Sequence, residues 1–419
     1  MKAGGQAARS TLVLALGAFS ILAQTLVLRE YLVVYGGNEI ALGLFFGSWL
    51  FWVGAGAVAT GRIARRMDPG DALAPLALAY AVAPLIQMSL VRSLRLLVGV
   101  DPMEMLPLDR LAAVTFATNA PVSLLTGAIF TVASAAAAGG TDEAEGRRRS
   151  VTRVYLLEAA GGCMGGAAAT GLAWAGARPF AVILGAAAAL AVPVLALCAA
   201  TGRRRQAAAA AAVIAAGVLL LVTPAGGAIE RWTVAQRWKA TLPQAALVES
   251  FDTPYRNVSL ARLGSQDILL FDGSIAAVFP AGSGATADAA LVMGESRGAR
   301  RVLVFGLSDP STACEILRYD VERVVVVEAD RAMVDRMRTL LPAGTAACLS
   351  DPRLTLVTAD PREWAAGARD RFGLILVRTP DPDTAQLNRL FTVEFVRSAA
   401  SLLAPGGVFS PRVTSAENY

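Results

Sequence analysis

Seven apolar runs in the first ~225 residues constrain this chain more than any other feature of its sequence. They cover 10–28, 40–61, 72–91, 111–138, 154–175, 179–200 and 207–224. Each is close to or above the roughly 20 residues that a helix needs to cross about 30 Å of hydrocarbon. Lipid offers no water to peptide groups, so runs of this kind must be helical. Composition agrees: 55% of the 419 residues are hydrophobic and 17% charged, against about 25% charged in soluble domains. Lys2 and Arg9 ahead of the first run imitate a secretory signal. No small-x-small cleavage site follows, and the second run begins almost at once, so the first run reads as an uncleaved helix. The alanine tracts 186–189 and 207–212 read as compositional bias within helices.

Basic residues between the runs set an orientation. Lys2, Arg9, Arg62, Arg65, Arg66, Arg147, Arg148, Arg149, Arg153, Arg203, Arg204 and Arg205 fall on one side, twelve in all. Arg29, Arg92, Arg95, Arg110 and Arg178, five in all, fall on the other. The positive-inside rule puts the twelve in the cytoplasm. The N-terminus is then cytoplasmic, and seven crossings leave everything after ~225 outside. The net charge of +5 is explained by this topology, and no nucleic-acid partner is expected.

Between the first two runs, Gly36-Gly37-Asn38-Glu39 reads as a tight turn followed by a helix cap. Gly161/Gly165 and Gly162/Gly166 repeat at four residues, the small-xxx-small spacing that lets helices approach closely. That face packs either within the bundle or on a partner chain. Glu158, Arg29 and Glu30 lie near the ends of their spans and are read as interfacial, snorkelling groups rather than intramembrane functional charges. No span carries the several central acids of a proton relay, so a transporter is the weaker alternative.

Residues 228–246 contain Trp232, Trp238, Arg231, Arg237 and Lys239, which suits an interfacial segment or an ordinary linker. From 247 the texture becomes soluble α/β. Strand-like stretches at 257–263 and 267–271 flank Gly264-Ser265-Gln266 as in a hairpin, and Asp272-Gly273 supplies a second turn. Continuous apolar strands at 301–306, 323–330, 354–357, 372–377 and 407–413 alternate with helical patterns near 311–319, 331–341, 361–368 and 392–403. That alternation predicts a parallel, doubly wound sheet.

Histidine is absent, which excludes a Ser–His–Asp triad, a Cys–His pair and any His-ligated metal. Cys163, Cys198, Cys314 and Cys348 have no CxxC spacing and form no dense disulfide pattern, so no metal or cluster is expected. In a doubly wound sheet the first strand–helix turn cradles the ligand. Here it reads Gly306-Leu307-Ser308-Asp309-Pro310-Ser311, with one glycine and a proline that has no N–H to offer. Glu328 ends the second strand, where a carboxylate can grip ribose hydroxyls, and Asp360 follows the third, where it can address an adenine amino group. Either carboxylate serves equally as a helix cap.

Five segments stand out together: 28–50 (LREYLVVYGGNEIALGLFFGSWL), 154–166 (VYLLEAAGGCMGG), DTPY (252–255), VVVVEAD (324–330) and TPDPDTAQLNRLFTVEFV (379–396). On these the soluble part resembles spermidine synthase (polyamine aminopropyltransferase). The whole chain is similar to a fused polytopic membrane/spermidine-synthase-like family of bacterial proteins. The resemblance implies an α-helical membrane bundle (1–227), an interfacial linker (228–246), a small β-hairpin subdomain (247–300) and a Rossmann-like sheet (301–419), apparently truncated after the fifth strand. It also implies a bacterial cytoplasmic membrane. Family members carry a glycine-rich turn in which only Gly306 and Asp309 are matched here. Their fourth strand ends in Asp-x-x-Asp-Pro, whose first Asp is the general base. Here Arg378 stands at that position, with Asp381-Pro382 retained. A guanidinium cannot accept a proton and repels a polyammonium substrate. Arg256 replaces a glutamine after the PY pair, and 280–290 (PAGSGATADAA) replaces a Tyr-His-Glu segment.

The expectation is therefore a non-catalytic membrane protein without a cofactor, docking membrane or periplasmic subunits, for instance of a respiratory or electron-transfer complex. The vestigial cofactor positions are Gly306, Asp309, Glu328 and Asp360. The alternative is an aminopropyl- or methyltransferase that uses adenosylmethionine or its decarboxylated form. On the topology derived above, a phosphatase fused after Pro224 is active and a cytoplasm-only reporter fused there is dark. The opposite pair of results reverses the orientation.

Overall fold

A computed structural model of the protein describes residues 3–37, 39–63, 68–104, 106–139, 143–280, 282–382 and 384–413. Lys2, Arg65 and Arg66 of the charge count, Asn38 of the turn, Ala281 and Asp383 of the quoted motifs, and the residues after 413 lie outside the described residues. The chain divides into two compact units, Met1–Pro243 and Gln244–Tyr419.

The first unit is all helix: α1 (Ala3–Tyr35), α2 (Glu39–Ile63), α3 (Pro69–Val98), α4 (Leu108–Ala138), α5 (Ala144–Trp174), α6 (Pro179–Ala200), α7 (Arg204–Val222) and α8 (Pro224–Thr241). Six of these, all but α5 and α8, are long and apolar enough to cross a membrane. The sequence reading expects seven. Helix α5 falls short because Glu158 and its glycines dilute an otherwise apolar stretch. Its place in the bundle is nevertheless that of the others. One buried cluster gathers Leu12 of α1, Leu73 of α3, Ile129 of α4, Val154 of α5 and Leu197 of α6. A second gathers Tyr31, Met88, Leu111, Ala169 and Ile183 of the same five helices. Residue numbers rise from the first cluster to the second in α1, α3 and α5 and fall in α4 and α6. Successive helices therefore alternate in direction, and α5 runs through both layers.

Glycines allow the closest contacts. A Cβ on Gly161 or Gly165 would collide with the α1 backbone at Leu14 and Ala18, and one on Gly17 with the backbone of Glu158. Of the two uses open to this face, packing within the bundle is the one observed for Gly161 and Gly165. Gly162 and Gly166 look onto the Ile21 side chain, 3.2 and 3.7 Å from where a Cβ would sit. A second seam, which sequence reasoning missed, joins α2 and α4. There Gly56 lies on the backbone of Leu124, and Gly127 on that of Val53 and Ala57.

Glu30 and Arg237 depart from their expected interfacial setting. Glu30 is buried, accepting 2.7 Å and 2.5 Å bonds from Arg92 Nη2 and Arg237 Nη1. Arg92 Nη1 donates to Thr233 Oγ1 at 2.8 Å. Residues 224–241, expected as an interfacial segment or linker, form α8, which presents Glu230, Thr233 and Arg237 inward and leaves Trp232 exposed.

The second unit opens with an antiparallel sheet of four strands in chain order: β1 (Ala246–Asp252), β2 (Asn257–Leu263), β3 (Gln266–Phe271) and β4 (Ser274–Phe279). The expected hairpin is its central pair, extended on both sides. Asp272 and Gly273, both at positive φ, make the tight β3–β4 turn. Helix α9 (Ser283–Glu295) leads into β5 (Arg301–Phe305), α10 (Ser311–Ile316), β6 (Arg323–Glu328), α11 (Arg331–Leu340), α12 (Ala343–Cys348) and β7 (Leu354–Thr358). There follow α13 (Pro361–Gly367), β8 (Phe372–Val377), α14 (Ala385–Asn388), α15 (Val393–Ala400) and β9 (Leu403–Pro411). The five strands pair in parallel in the order β7-β6-β5-β8-β9, a Rossmann-like sheet. Apolar clusters cover it on both faces. Cys314 of α10 and Cys348 of α12 form a disulfide that the spacing did not disclose, while Cys163 and Cys198 are free.

The α1–α5 seam generates a prediction. Gly165→Leu forces two backbones apart and lowers stability by about 1–3 kcal/mol or more. Gly166→Leu, which meets only a side chain, costs less. Thermal unfolding of both variants in mild detergent checks the ranking.

Candidate functional site

In a sheet of this order the strand ends around β5, β6 and β8 form the ligand crevice. Parallel pairing of β5 with β6 and β8 brings together Gly306, Glu328 and Arg378, each one residue past or at the end of its strand. All three sequence-predicted positions therefore converge. Asp309 and Asp360 follow β5 and β7 on the same side of the sheet.

What these groups do there is internal. Glu328 accepts from the backbone N–H of Leu307 at 2.9 Å and of Asp330 at 3.0 Å, one on each carboxylate oxygen. Asp309 accepts from Ser311 N–H at 2.9 Å. Asp360 caps α13 through Arg362 N–H at 2.8 Å and pairs with Arg389. Burial works against the Asp360 anion, but the Arg362 N–H and the Arg389 guanidinium outweigh it and hold the carboxyl below its ordinary range. An ionised carboxylate has about four acceptor sites, so Glu328 retains room for ribose hydroxyls. Asp360 would have to give up Arg389 to meet an adenine.

The first turn leaves little space. Gly306 has φ +92°, and a Cβ on it would lie 2.8 Å from the Arg378 carbonyl oxygen and against Thr379. Ser308 Oγ donates to that same carbonyl at 2.7 Å. The loop after β5 is thus bonded directly to the loop after β8.

Arg378 is buried, with 4% of its surface exposed. Its Nε and Nη2 donate to Asp288 Oδ2 and Oδ1, both at 2.9 Å, in a bidentate pair. Nη1 donates to the Ser410 carbonyl at 2.7 Å. Asp288 also accepts from Thr312 Oγ1 at 3.1 Å. Sequence reasoning missed Asp288, the lone acid of the segment 280–290. Nothing in the local pattern connects it to a residue 90 positions on.

The DTPY and VVVVEAD motifs meet through Thr253, which donates to Asp330 Oδ2 at 2.6 Å. Thr253 Oγ1 in turn accepts from Tyr255 and Arg256 N–H. Asp330 Oδ1 caps α11 through Met333 N–H at 3.0 Å. Burial pushes the Asp330 carboxyl above its ordinary range and nearby Glu328 adds to this, against the pull of Thr253 and Met333. The Tyr255 hydroxyl is raised as well, first by burial and then by Asp330 and Asp360. Arg256 lies over the Phe271 ring at 4.8 Å. Among the described residues no group of three Cys, Asp or Glu side chains is placed to share a metal ion.

Residues 289–417 match the spermine/spermidine synthase domain family. The polyamine aminopropyltransferase of Mycobacterium tuberculosis is 42% identical over 117 residues, which is 27% of this chain and 22% of that protein. The enzyme of the same name from Nitrosomonas europaea is 38% identical over 117 residues, covering 28% and 36% of the two chains. The chain thus spans between a fifth and two fifths of these relatives' own length. A spermidine synthase crystallised with the transition-state analogue AdoDATO is 24% identical, with a TM-score of 0.37, over 40% of this chain and 57% of its own. The second unit carries a spermidine-synthase-like domain with aminopropyltransferase homologues. Its glycine-poor first turn, the Arg378 carbonyl against Gly306 and the Arg389-bound Asp360 do not fit an adenosyl group as they stand; Glu328 does.

The Thr253–Asp330 bond in this domain yields a pH prediction. An acid raised on folding contributes stability below its unfolded pKa and loses it as pH rises through the folded value. Asp330→Asn keeps the cap on α11 and flattens the fall in stability that begins above about pH 4. Thr253→Val leaves the carboxylate short of a donor and costs about 1–3 kcal/mol at neutral pH. Thermal unfolding across pH separates the two variants.

Proposed function

We propose that this chain is an integral membrane protein whose spermidine-synthase-like domain lies outside the cytoplasm. On this reading the domain transfers no aminopropyl group and serves as a docking surface for membrane or periplasmic subunits. The observation that carries the reading is the Arg378–Asp288 pair. At the strand end where the resemblance places a general base stands a buried cation that is already neutralised by an internal carboxylate. A guanidinium stays protonated at any working pH, and the bidentate pair fixes it there.

Two further observations support the compartment. The basic residues divide twelve to five in favour of a cytoplasmic N-terminus. The Cys314–Cys348 bond suits an oxidising environment and is out of place in a reducing cytosol. Adenosylmethionine derivatives are made on the cytoplasmic side, so such a domain would not meet them.

A second reading is an aminopropyl- or methyltransferase using an adenosylmethionine derivative. The comparisons favour it: the relatives named above carry that activity in their names, at up to 42% identity over the matched stretch. Glu328, with free acceptor capacity at the end of β6, favours it too.

Calorimetry and a transfer assay on the purified full chain decide between them. The first reading expects no micromolar binding of adenosylmethionine or its decarboxylated form, and no transfer to a diamine. It also expects Arg378→Asp alone to restore nothing, because a general base contributes only about 10²–10⁴-fold and acts on bound substrates. Micromolar binding with transfer by the wild-type protein would establish the second reading instead.

A further inference from the structure

We propose that a cavity of about 250 Å³, where the start of α6, the end of α7 and the start of α8 meet, binds the phosphate diester of an anionic membrane phospholipid. This rests on the membrane-spanning reading of the first unit and on nothing in the second. The deciding feature is a convergence of like charges. A Cβ placed on Gly227 would lie 3.3 Å from Arg231 Nη1 and 3.8 Å from Arg178 Nη1, so the two exposed guanidiniums flank that one position. Among the described residues neither side chain has a hydrogen-bond or ion-pair partner. Two cations flanking one position repel, and an anion between them turns repulsion into two charge-assisted bonds.

The rest of the wall defines the anion. Glu230 also lines the cavity, and a carboxylate beside the site weighs more against a doubly charged monoester than against a singly charged diester. Helices α6 and α8 both begin here with a proline in the first turn and no side-chain cap, which leaves their first N–H groups available to an oxyanion. Leu184, Leu220 and Leu221 give the lining an apolar part. From there the apolar surface continues outward over Leu221 and Val222, which are 44% and 75% exposed. A headgroup with its phosphate on the arginines lays its acyl chains along that strip. A free phosphate would leave the strip bare.

Native mass spectrometry of the full chain released from nanodiscs of mixed phosphatidylglycerol and phosphatidylcholine tests the site. The wild-type protein is expected to retain one phosphatidylglycerol in preference to phosphatidylcholine. Arg178→Gln with Arg231→Gln should reduce that preference about tenfold. Gly227→Leu leaves both charges in place and fills the cavity, so it should do the same and covers the case in which the double variant fails to fold. Arg148→Gln with Arg149→Gln, at the far end of α5, should leave the preference intact. Equal retention of the two lipids overturns the proposal. So does an unchanged preference in Gly227→Leu, or displacement of the lipid by inorganic phosphate at equal concentration. Recovery of the chain in the aqueous fraction would overturn the membrane reading together with this one, whereas embedded protein without lipid preference overturns this one alone.

Discussion

Gly161 and Gly165 bring the backbone of α5 against that of α1 at Leu14 and Ala18, where no residue with a Cβ fits. Between helices in lipid there is no hydrophobic driving force, because acyl chains are as apolar as leucine. A helix diluted by Glu158 and several glycines stays in such a bundle through close van der Waals contact of this kind. The consequence reaches the whole chain. On the proposed membrane-spanning reading, counting α5 gives seven crossings and leaving it out gives six, so this seam bears directly on the side proposed for residue 244. The proposed compartment, and with it the chemistry available to the second unit, depends on the parity of that count, to which hydropathy alone contributes six described helices.

The parts of the fold that were legible were those written in local pattern. Uninterrupted runs such as 302–305 and 324–327 could only be buried strands, and they form the centre of the sheet. The parts that were not legible depend on partners far along the chain. β1 and β4 are half-exposed strands whose burial alternates weakly, and they are specified by pairing with β2 and β3. β9 was expected from 407, yet it begins at Leu403 because that residue pairs with Phe372 across a Pro-Gly-Gly stretch that locally reads as a turn. Helix α9 hides in a small-residue sequence of low contrast. The Cys314–Cys348 bond and the Glu30–Arg237 pair, 207 residues apart, leave no local trace.

At the site, the positions were legible and their occupation was not. A carboxylate at a strand end faces the same backbone N–H groups whether it caps a loop or holds a ligand, and sequence cannot say which acceptor sites remain. Glu328 bonds two N–H groups and still has lone pairs to offer. Asp360 divides itself between α13 and Arg389. Arg378 goes further, since Asp288 and the Ser410 carbonyl take up its principal donor directions. A buried charge whose partner is removed is far more costly than one that is paired. The cation at residue 378 and the acid at residue 288 are therefore one unit structurally, although they lie 90 positions apart in sequence.

The same reasoning applies to Glu30, Arg92 and Arg237 in the helical unit, with a different outcome. Taking three charges out of solvent brings little net stability over well-packed apolar residues, so the network is not explained as a source of binding energy. It supplies register. Helix α8 has a polar inward face and an exposed Trp232, and an apolar version of it could slide along α3 or sink among the neighbouring helices. With Arg237 seated on Glu30, and Arg92 bridging Glu30 to Thr233, a shift of one residue along α8 would strand buried charge. That fixes where α8 starts as well as where it lies, and its start is what places Arg231 beside Arg178 over Gly227. The buried network and the cavity mouth are successive turns of one helix, and the first sets the geometry of the second.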